Sequence, residues 1–509
     1  MYKMKRNNLI MINEKDILKV FILEFGNKYL VYKSSIIFTD NGYFFLAKDD
    51  NKKYLFVLGS LELLQEFDGE IVGTLKIDNS NLLIKKSYLN FQNLKIIQKI
   101  FPHLCPTVCG LRTSFGTGDR LGIVTPAHIQ AFQSKRFFPF LCQQSVRELY
   151  KTKRSWQQVI NDATWGIFES GYRGPFGADA DHVKKIEDLS NAIDNGFTMF
   201  TIDPSDYILN DISKLDRNRI SEIYNSITER EEIEKLYLGK KFIINEKILE
   251  FDGESLPVVV ASYFKAIKHI IRCYKFFKQN TKNNFDFEVS MDEVDNAISP
   301  LAHIFIVNEL QRNEVNFQNL ALRFIGEWQK AIDYIGNLKE FLEDIRMHAE
   351  IAKKFGEYKL SLHSGSEKFS IYKIFSKETE GLYHIKTSGT SWLESIRTIA
   401  IKNPSLFKEI YNYATEKFEE DKKSYNSIST EISSILSIEI LSEEKFSSLL
   451  DLPECRQMMH VTFGSILSAM ENNEYIFKDR IYKTLFDNET LHYKYVSENI
   501  DKHLKLLNT

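Results

Sequence analysis

Short apolar segments with β character alternate with helical stretches through the middle of this 509-residue chain. The strand candidates are LGIVT (121–125), FFPFLC (137–142), FTMFTI (197–202), FDFEVS (285–290), FQNLALRF (317–324), YKLSLH (358–363) and LYHIKT (382–387). Several are apolar on both faces, which is typical of parallel strands covered by helices. Polar or glycine-rich residues follow most of them, as at the active-site end of a barrel. We therefore predict an α/β chain with a (β/α)8 TIM-type barrel. A doubly wound open sheet is less favoured, because no Gly-x-Gly-x-x-Gly follows an early strand.

The pattern of residue types changes on both sides of this region. Residues 1–100 read as a small β-rich N-terminal module, with a hairpin turn at Asp40-Asn41-Gly42. The barrel is expected at 101–405, with a charged helical insertion at about 209–284. Residues 406–509 read as a helical C-terminal region, in which 424–441 has apolar residues at helical intervals and predicts a packed helix.

Composition excludes several classes of protein. The chain has 66 Lys and Arg against 69 Asp and Glu, a formal net charge of -3, so no positive excess is available to hold nucleic acid. Five cysteines are too few for a disulfide scaffold. No apolar run approaches the ~20 residues of a membrane helix, and the N-terminal apolar run is too short for a signal peptide. We expect a cytoplasmic protein that binds neither nucleic acid nor membrane.

An Asp-His pair closes the segment Gly177-Ala178-Asp179-Ala180-Asp181-His182, which we expect in a loop after a helix. Imidazole is a good zinc ligand, and a neighbouring carboxylate can act as a general acid or base beside a metal. The pair therefore indicates a metal site. An Asp that caps a helix beside a solvent-exposed His would give the same pattern, and both interpretations stay open.

A second His ends the strand candidate 358–363 and is followed by Ser364, Gly365, Ser366 and, two residues on, Lys368. The Ser-Gly-Ser segment offers backbone N–H groups and hydroxyls to an anion, and Lys368 adds a point charge. A hydrogen-bonded structural His363 is the alternative. Two His-bearing strand ends in one barrel favour a catalytic metal, which takes ligands from different strands.

Other polar candidates also lie near strand ends. Asp203 follows the strand 197–202, and Lys386 and Thr387 precede a helix whose N-terminal amides could hold an anion. Arg120 could bind a substrate carboxylate, or it could form an Arg–Asp salt bridge that shapes its loop. The acids that could complete a metal shell are Glu288, Asp292 and Glu327.

Seven segments are distinctive when taken together: GTGDRLGIVTPAHIQA, QQSVREL, DATWGIFESGYRGPFGADADHVK, GFTMFTIDPSDY, ALRFIGEWQKAIDYIG, GEYKLSLHSGSEKFSIY and HIKTSGTSWLESI. They cover most of 110–405 and resemble the bacterial tagaturonate epimerase family, whose members interconvert tagaturonate and fructuronate in hexuronate catabolism. MMHVTFGS (458–465) resembles the C-terminal part of that family. The resemblance implies an isomerase acting on a small-molecule hexuronate, a keto-sugar acid. It is compatible with a homo-oligomer.

The order DADH, TIDPS, LHSGS and IKTSGT is also similar to that of the class II, zinc-dependent aldolases. This likeness implies that His182 and His363 are metal ligands, that Asp181 is the acid/base, and that the 364–366 segment cradles the anionic end of the substrate. The implied cofactor is a divalent metal ion, with zinc favoured and manganese, nickel or cobalt as alternatives.

The third ligand and the remaining substrate contacts are less sharply implied. Residues 323–327 stand where the aldolases carry another His, and Glu327 and Glu288 rank above His303 as the third ligand. The basic and hydroxyl groups expected at the pocket mouth are Arg120, Lys368, Lys386 and Thr387.

The chemistry of the family suits such a site. Its substrates differ in configuration at a carbon two bonds from the ketone, whose proton the carbonyl does not acidify. Retro-aldol cleavage and re-addition on a metal-bound enediolate can invert this carbon, with Asp181 on one side and Glu169 or Asp203 on the other as proton carriers. A transient hydride transfer is the alternative mechanism. The alternative function is a class II-type aldolase, or an epimerase for another ketose such as tagatose or fructose.

Overall fold

A closed barrel of eight parallel strands forms the centre of the molecule, which confirms the predicted TIM-type α/β fold. The structure, a computed structural model, describes residues 14–77, 80–133, 135–425 and 428–508. The segment in which we looked for a signal peptide lies largely outside the described residues.

The N-terminal module is a six-stranded antiparallel sheet. Its turn at Asn41 joins two paired strands, as the Asp-Asn-Gly motif predicts. Aromatic residues such as Phe45 and Phe56 are fully buried and stack on each other. The elements are α1 (Glu14–Phe25), β1 (Leu30–Val31), β2 (Ile37–Thr39), β3 (Gly42–Lys48), β4 (Lys53–Gly59), α2 (Leu61–Gln65), β5 (Gly69–Ile77), β6 (Ser80–Ser87) and α3 (Phe91–Ile100).

The first half of the barrel contains two strands that the sequence pattern misses. The elements are β7 (Ser114–Gly118), α4 (Thr125–Phe132), β8 (Phe138–Ser145), α5 (Val146–Thr152), α6 (Trp156–Ser170), β9 (Gly177–Val183), α7 (Ile186–Asp194) and β10 (Met199–Ile202). The predicted strand 121–125 is wrong: it is a loop running into α4, and β7 precedes it. The GADADH segment is a strand, not a loop.

Strand β7 lacks the apolar pattern of the other buried strands because it contains two glycines, Gly116 and Gly118. A Cβ on Gly116 would collide with the Gln143 side chain, and one on Gly118 would lie 2.8 Å from the backbone of Ser388. The close approach of neighbouring chain therefore favours glycine where β propensity would favour a branched residue.

The long connection after β10 is mostly helical and also contains a hairpin. Its elements are α8 (Arg217–Asn225), α9 (Arg230–Tyr237), β11 (Lys241–Ile244), β12 (Lys247–Glu250) and α10 (Ser255–Asn280), preceded by 3-10 turns at Ser205–Tyr207 and Asn210–Lys214. The 26-residue α10 packs on α11 and returns the chain to the barrel.

The second half completes the barrel. Its elements are β13 (Asp286–Met291), α11 (Pro300–Arg312), β14 (Asn319–Leu322), α12 (Leu338–Phe355), β15 (Lys359–Leu362), α13 (Tyr372–Glu378), β16 (Tyr383–Thr387) and α14 (Thr390–Lys402). The strand order is β10-β13-β14-β15-β16-β7-β8-β9, closed by pairing of β9 with β10. Parallel closure brings all carboxyl ends to one mouth.

The C-terminal region packs beside and over this mouth. Its elements are α15 (Pro404–Lys422), 3-10 turns at Ile432–Ser434, Ile438–Ile440 and Glu443–Asp451, α16 (Pro453–Val461), α17 (Phe463–Ser468), β17 (Met470–Glu471), β18 (Glu474–Tyr475), α18 (Lys478–Asp487) and α19 (Glu489–Leu507). The predicted helix at 424–441 is wrong. Its described residues form only 3-10 turns, and serine hydroxyls there compete for backbone groups.

No described helix is both long enough and apolar enough to cross a bilayer.

Candidate metal centre

Three side chains meet at the carboxyl ends of β9, β13 and β15. One ligand atom from each of His182, Asp292 and His363 lies within 4.8 Å of the other two. His182 and Ser364 have positive φ angles of 51° and 52°. Such angles are uncommon outside glycine and cluster at functional sites. The backbone thus bends at both strand ends that carry a histidine.

Hydrogen bonds to carboxylates orient the two imidazoles. Nδ1 of His182 lies 2.7 Å from Oδ1 of Asp181, and Nε2 of His363 lies 3.1 Å from Oε2 of Glu288. A carboxylate at one ring nitrogen fixes the tautomer and directs the other nitrogen to a metal.

The two opposite nitrogens are buried and, among the described residues, face carboxylates. They are Nε2 of His182 and Nδ1 of His363. Nδ1 of His363 lies 2.9 Å from Oδ1 of Asp292, and Nε2 of His182 lies 3.9 Å from the same oxygen. Two buried imidazole nitrogens that face one carboxylate oxygen fit a divalent cation.

Negative charge dominates around this triad. Burial lowers the pKa of His363, but the charges of Asp292 and Glu288 more than reverse this and raise it to about 10. Burial raises the pKa of Asp292, yet His363 and His182 together hold it well below its usual range. The cluster therefore attracts positive charge, and a bound cation would take the place of protons on the imidazoles.

Lys386 occupies the barrel interior rather than the open mouth. Its Nζ lies 2.7 Å from Asp179, 2.8 Å from Asp181 and 2.5 Å from Glu288. Burial opposes a charged lysine, but these carboxylates raise its pKa. Burial raises the pKa of Asp179 to about 7 against the pull of Lys386. Lys386 thus balances the excess of acids beneath the triad.

The acids predicted as third ligand are not at the triad. Glu288 stands behind His363, where its Oε2 contacts Nε2 of that ring and Nζ of Lys386. Glu327 is exposed and accepts a hydrogen bond from Gln329. Asp292, which sequence analysis named only as one acid among three, takes this position because it directly follows β13.

The predicted proton carriers lie in three different settings. Asp181 lines the cavity, and His182 and Lys386 hold its pKa low against burial. Asp203 is buried at the end of β10, where it accepts the N–H of Ser205 and burial raises its pKa. Among the described residues it does not line the cavity wall.

Glu169 lies outside the site. It is at the C-terminal end of α6, which faces the amino-terminal end of the barrel. There it pairs with Lys53 of the N-terminal sheet at 2.6 Å and accepts the hydroxyl of Tyr493 from α19. Sequence proximity to the GADADH segment misled the prediction, because a helix and the strand after it run in opposite directions.

Two of the predicted anion-binding cations are already occupied. Arg120 pairs with Glu148 at 2.7 Å and donates to the carbonyl of His460, so the expected Arg–Asp bridge is replaced by an Arg–Glu pair. Lys368 is buried and donates to the carbonyls of Gln329, Ile332 and Ser366. Burial lowers its pKa to about 7. Lys368 therefore shapes the loop.

The remaining predicted substrate contacts divide between the wall and the backbone. Ser364 and Thr387 line the cavity, and the Ser364 hydroxyl accepts a hydrogen bond from Lys330. Gly365 donates its N–H to the Lys386 carbonyl, and the Ser366 hydroxyl accepts the N–H of Ser388. The backbone N–H of Glu367 donates to Nε2 of His503 in α19.

Sequence reasoning missed several residues of the cavity wall. They are Gln143, Arg147, Glu148, Glu293, Lys330, Tyr425 and His460. Arg147 and Glu293 form an ion pair at 2.8 Å, and Arg147 lies over the ring of Tyr425. Tyr425 and His460 come from the C-terminal region, where His460 lies in MMHVTFGS and no segment with the family resemblance contains Tyr425. Gln143, Arg147 and Glu148 lie in QQSVREL and Lys330 in EWQK, within segments that carry the family resemblance. Glu293 follows Asp292 outside those segments.

Comparison with known proteins agrees with the resemblance. The sequence matches the profile of the tagaturonate epimerase family over residues 32–507. It is 46% identical to the tagaturonate/fructuronate epimerase of Thermotoga maritima over 496 residues, 96% of this chain and 99% of that protein. Native and glycerol-complexed crystal structures of the fructuronate-tagaturonate epimerase UxaE from Cohnella laeviribosi are 35% identical, with a TM-score of 0.90, and cover 97% of this chain and 99% of theirs. The chain belongs to the tagaturonate epimerase family.

Proposed function

We propose that this protein interconverts tagaturonate and fructuronate with the help of a divalent cation held by His182, His363 and Asp292. The observation that supports the metal is that Nε2 of His182 and Nδ1 of His363 face the same carboxylate oxygen of Asp292. The near-complete match to named epimerases supports the reaction.

The donor set narrows the choice of ion. Two imidazoles and one carboxylate suit zinc, and also manganese, nickel and cobalt. A bound divalent cation supplies Lewis-acid stabilisation for negative charge that develops on substrate oxygens. The role of Asp181 and Glu288 is to fix the ring nitrogens that face it.

The inversion requires one bond of this carbon to break and then to re-form on the opposite face. In the retro-aldol route, a carboxylate takes the proton of the hydroxyl on that carbon, and the bond to the α-carbon breaks. The electron pair stays on the α-carbon fragment, and the hydroxyl carbon becomes an aldehyde. After the aldehyde rotates, the same bond re-forms on its other face and the oxygen regains a proton.

Two carboxylates of the cavity are suited to these proton transfers. Asp181 contacts Nδ1 of His182, and Oε1 of Glu293 lies 3.7 Å from Nε2 of the same ring. They therefore lie on opposite sides of His182. We assign them as the two proton carriers, with Glu293 in the role that sequence analysis gave to Glu169 or Asp203.

The test is an assay of purified protein with fructuronate, with and without chelator. We expect tagaturonate to form, activity to disappear with chelator, and a divalent ion to restore it. Accumulation of three-carbon fragments would favour an aldolase, and full activity of metal-free protein would reject the metal. A kinetic isotope effect with deuterium on the inverted carbon would favour hydride transfer.

A further inference from the structure

Most cations around the cavity are already neutralised. Arg120 pairs with Glu148, and Arg147 pairs with Glu293. Lys386 contacts three carboxylates. These groups already have carboxylate partners, and for the buried Arg120 and Lys386 breaking such a pair is costly.

Arg323 and Lys330 differ from these groups. Among the described residues neither forms an ion pair: Nη1 of Arg323 reaches the carbonyl of Phe324 at 3.4 Å, and Nζ of Lys330 donates to the hydroxyl of Ser364. Burial lowers the pKa of both side chains. A partly desolvated cation without a counter-charge is unfavourable until an anion arrives.

Both side chains share their cavity with the metal triad. Arg323 and Lys330 line the same wall region as His363 and Asp292. Arg323 directly follows β14, and Lys330 is in the loop before α12. A ligand held at the triad therefore has these two cations beside it.

We propose that Arg323 and Lys330 bind the carboxylate of the sugar acid and so select a hexuronate over a neutral ketohexose. This inference rests on the proposed function for the identity of the substrate. A guanidinium can hold a carboxylate with two parallel hydrogen bonds, and the ammonium adds a point charge. The Ser364 hydroxyl orients Lys330 from the loop that carries His363.

A binding measurement with ligands that cannot react tests the carboxylate site independently of catalysis. Gluconate and sorbitol are matched six-carbon probes that differ in a carboxylate against a CH2OH group, and neither has a ketone to react. Calorimetry on metal-replete protein is expected to show preference for gluconate. In Lys330→Met and in Arg323→Met this preference should fall by about 10- to 100-fold, since each removes a charged hydrogen bond. Lys330→Arg should retain most of it.

Turnover gives the second readout. In the same variants, kcat/KM for fructuronate should fall by about 10- to 100-fold, whereas an exposed-lysine variant should keep the value of the unmodified protein. Lys339→Met removes an exposed lysine in the first turn of α12 and serves as the matched control. Metal content and circular dichroism verify that each variant is folded. If Arg323→Met loses metal because it is close to Asp292, Lys330→Met decides the outcome.

The two proposals fail in different ways. Unmodified protein that prefers gluconate but does not epimerise fructuronate rejects the proposed function, and loss of that preference in the variants still supports the carboxylate site. Protein that epimerises fructuronate while both variants keep the full preference for gluconate overturns the carboxylate site alone.

Discussion

This molecule has two buried clusters of charged side chains. They differ in whether every polar atom has a hydrogen-bond partner. At the amino-terminal side of the barrel, Lys53 lies between Glu169 and Glu489, at 2.6 and 2.5 Å, and the hydroxyl of Tyr493 reaches both acids. Among the described residues, every polar side-chain atom of that cluster has a partner. At the mouth, Nε2 of His182 has no hydrogen-bond partner among the described residues, and it faces the same Asp292 oxygen as Nδ1 of His363. A satisfied network holds elements together, whereas unsatisfied atoms mark a place for something else.

Removing a ligand at the mouth should have the largest effect. His363→Ala deletes one of the two nitrogens that face Asp292, so we expect metal content and epimerase activity to fall by more than about 100-fold. Metal analysis and the fructuronate assay measure both. His103→Ala, in the 3-10 turn Pro102–Leu104 away from the cavity, is the matched control. A metal-replete, fully active His363→Ala protein would contradict the site.

Breaking the satisfied cluster should affect folding instead. Lys53→Met leaves Glu169 buried beside Glu489 without its cation, while Glu489 keeps only Lys48 at 3.0 Å. We expect a loss of about 3 to 5 kcal/mol in the free energy of unfolding. Urea unfolding measures it. Metal stoichiometry should stay unchanged, and a Lys53→Met protein that unfolds normally but loses metal would reverse the comparison.

The same cluster predicts an acid-dependent stability. Burial raises the pKa of Glu489, but Lys53, Lys48 and the Tyr32 hydroxyl lower it from 4.5 to about 2. A folded-state pKa below the unfolded one stabilises the protein above pH ~4.5, and the contribution is lost as pH falls toward 2. Glu489→Gln should therefore cost about 3 kcal/mol near neutrality and progressively less below pH ~4.5. Unfolding midpoints of both proteins across this range test it; a constant difference would argue against the pairing.

The smallest effect is expected from a substitution of Glu288, which contacts the His363 ring. Glu288→Gln weakens the carboxylate that orients His363, so metal affinity should fall by about 10- to 100-fold, or about 1.4 to 2.8 kcal/mol. Competition with a chelator measures the affinity. Glu327→Gln, at an exposed position, is the control and should bind metal normally. If Glu327→Gln were the weaker binder, the sequence-based ranking of Glu327 would stand over the geometry.

The barrel was largely predictable because parallel buried strands carry an apolar signature that alternates with helices. Six of the seven strand candidates correspond to strands of the barrel. The strand at Ser114–Gly118 was missed, since close neighbours require glycine there. The helix predicted at 424–441 failed because periodicity alone does not reveal that Ile432 and Ile440 are exposed.

The meeting of His182 and His363 was predictable, because each lies at the carboxyl end of a barrel strand within a distinctive segment. Contacts between residues distant in sequence were not predictable. Whether Arg120 and Lys368 are free or occupied depends on Glu148, His460 and loop carbonyls that only folding brings together. A count of basic residues near strand ends therefore could not distinguish them from Lys330.

Helix α19 also sets an order of events during synthesis. Tyr493 leaves the ribosome 440 residues after Lys53, an interval of roughly 20 to 90 s at typical translation rates. During that time the nascent N-terminal sheet exposes a lysine whose counter-charge is incomplete, and the loop at 364–368 lacks the His503 contact. The sheet and barrel can begin to fold while attached to the ribosome, but the catalytic mouth is completed only after α19 emerges. We therefore expect chaperones to bind the nascent chain mainly during this interval.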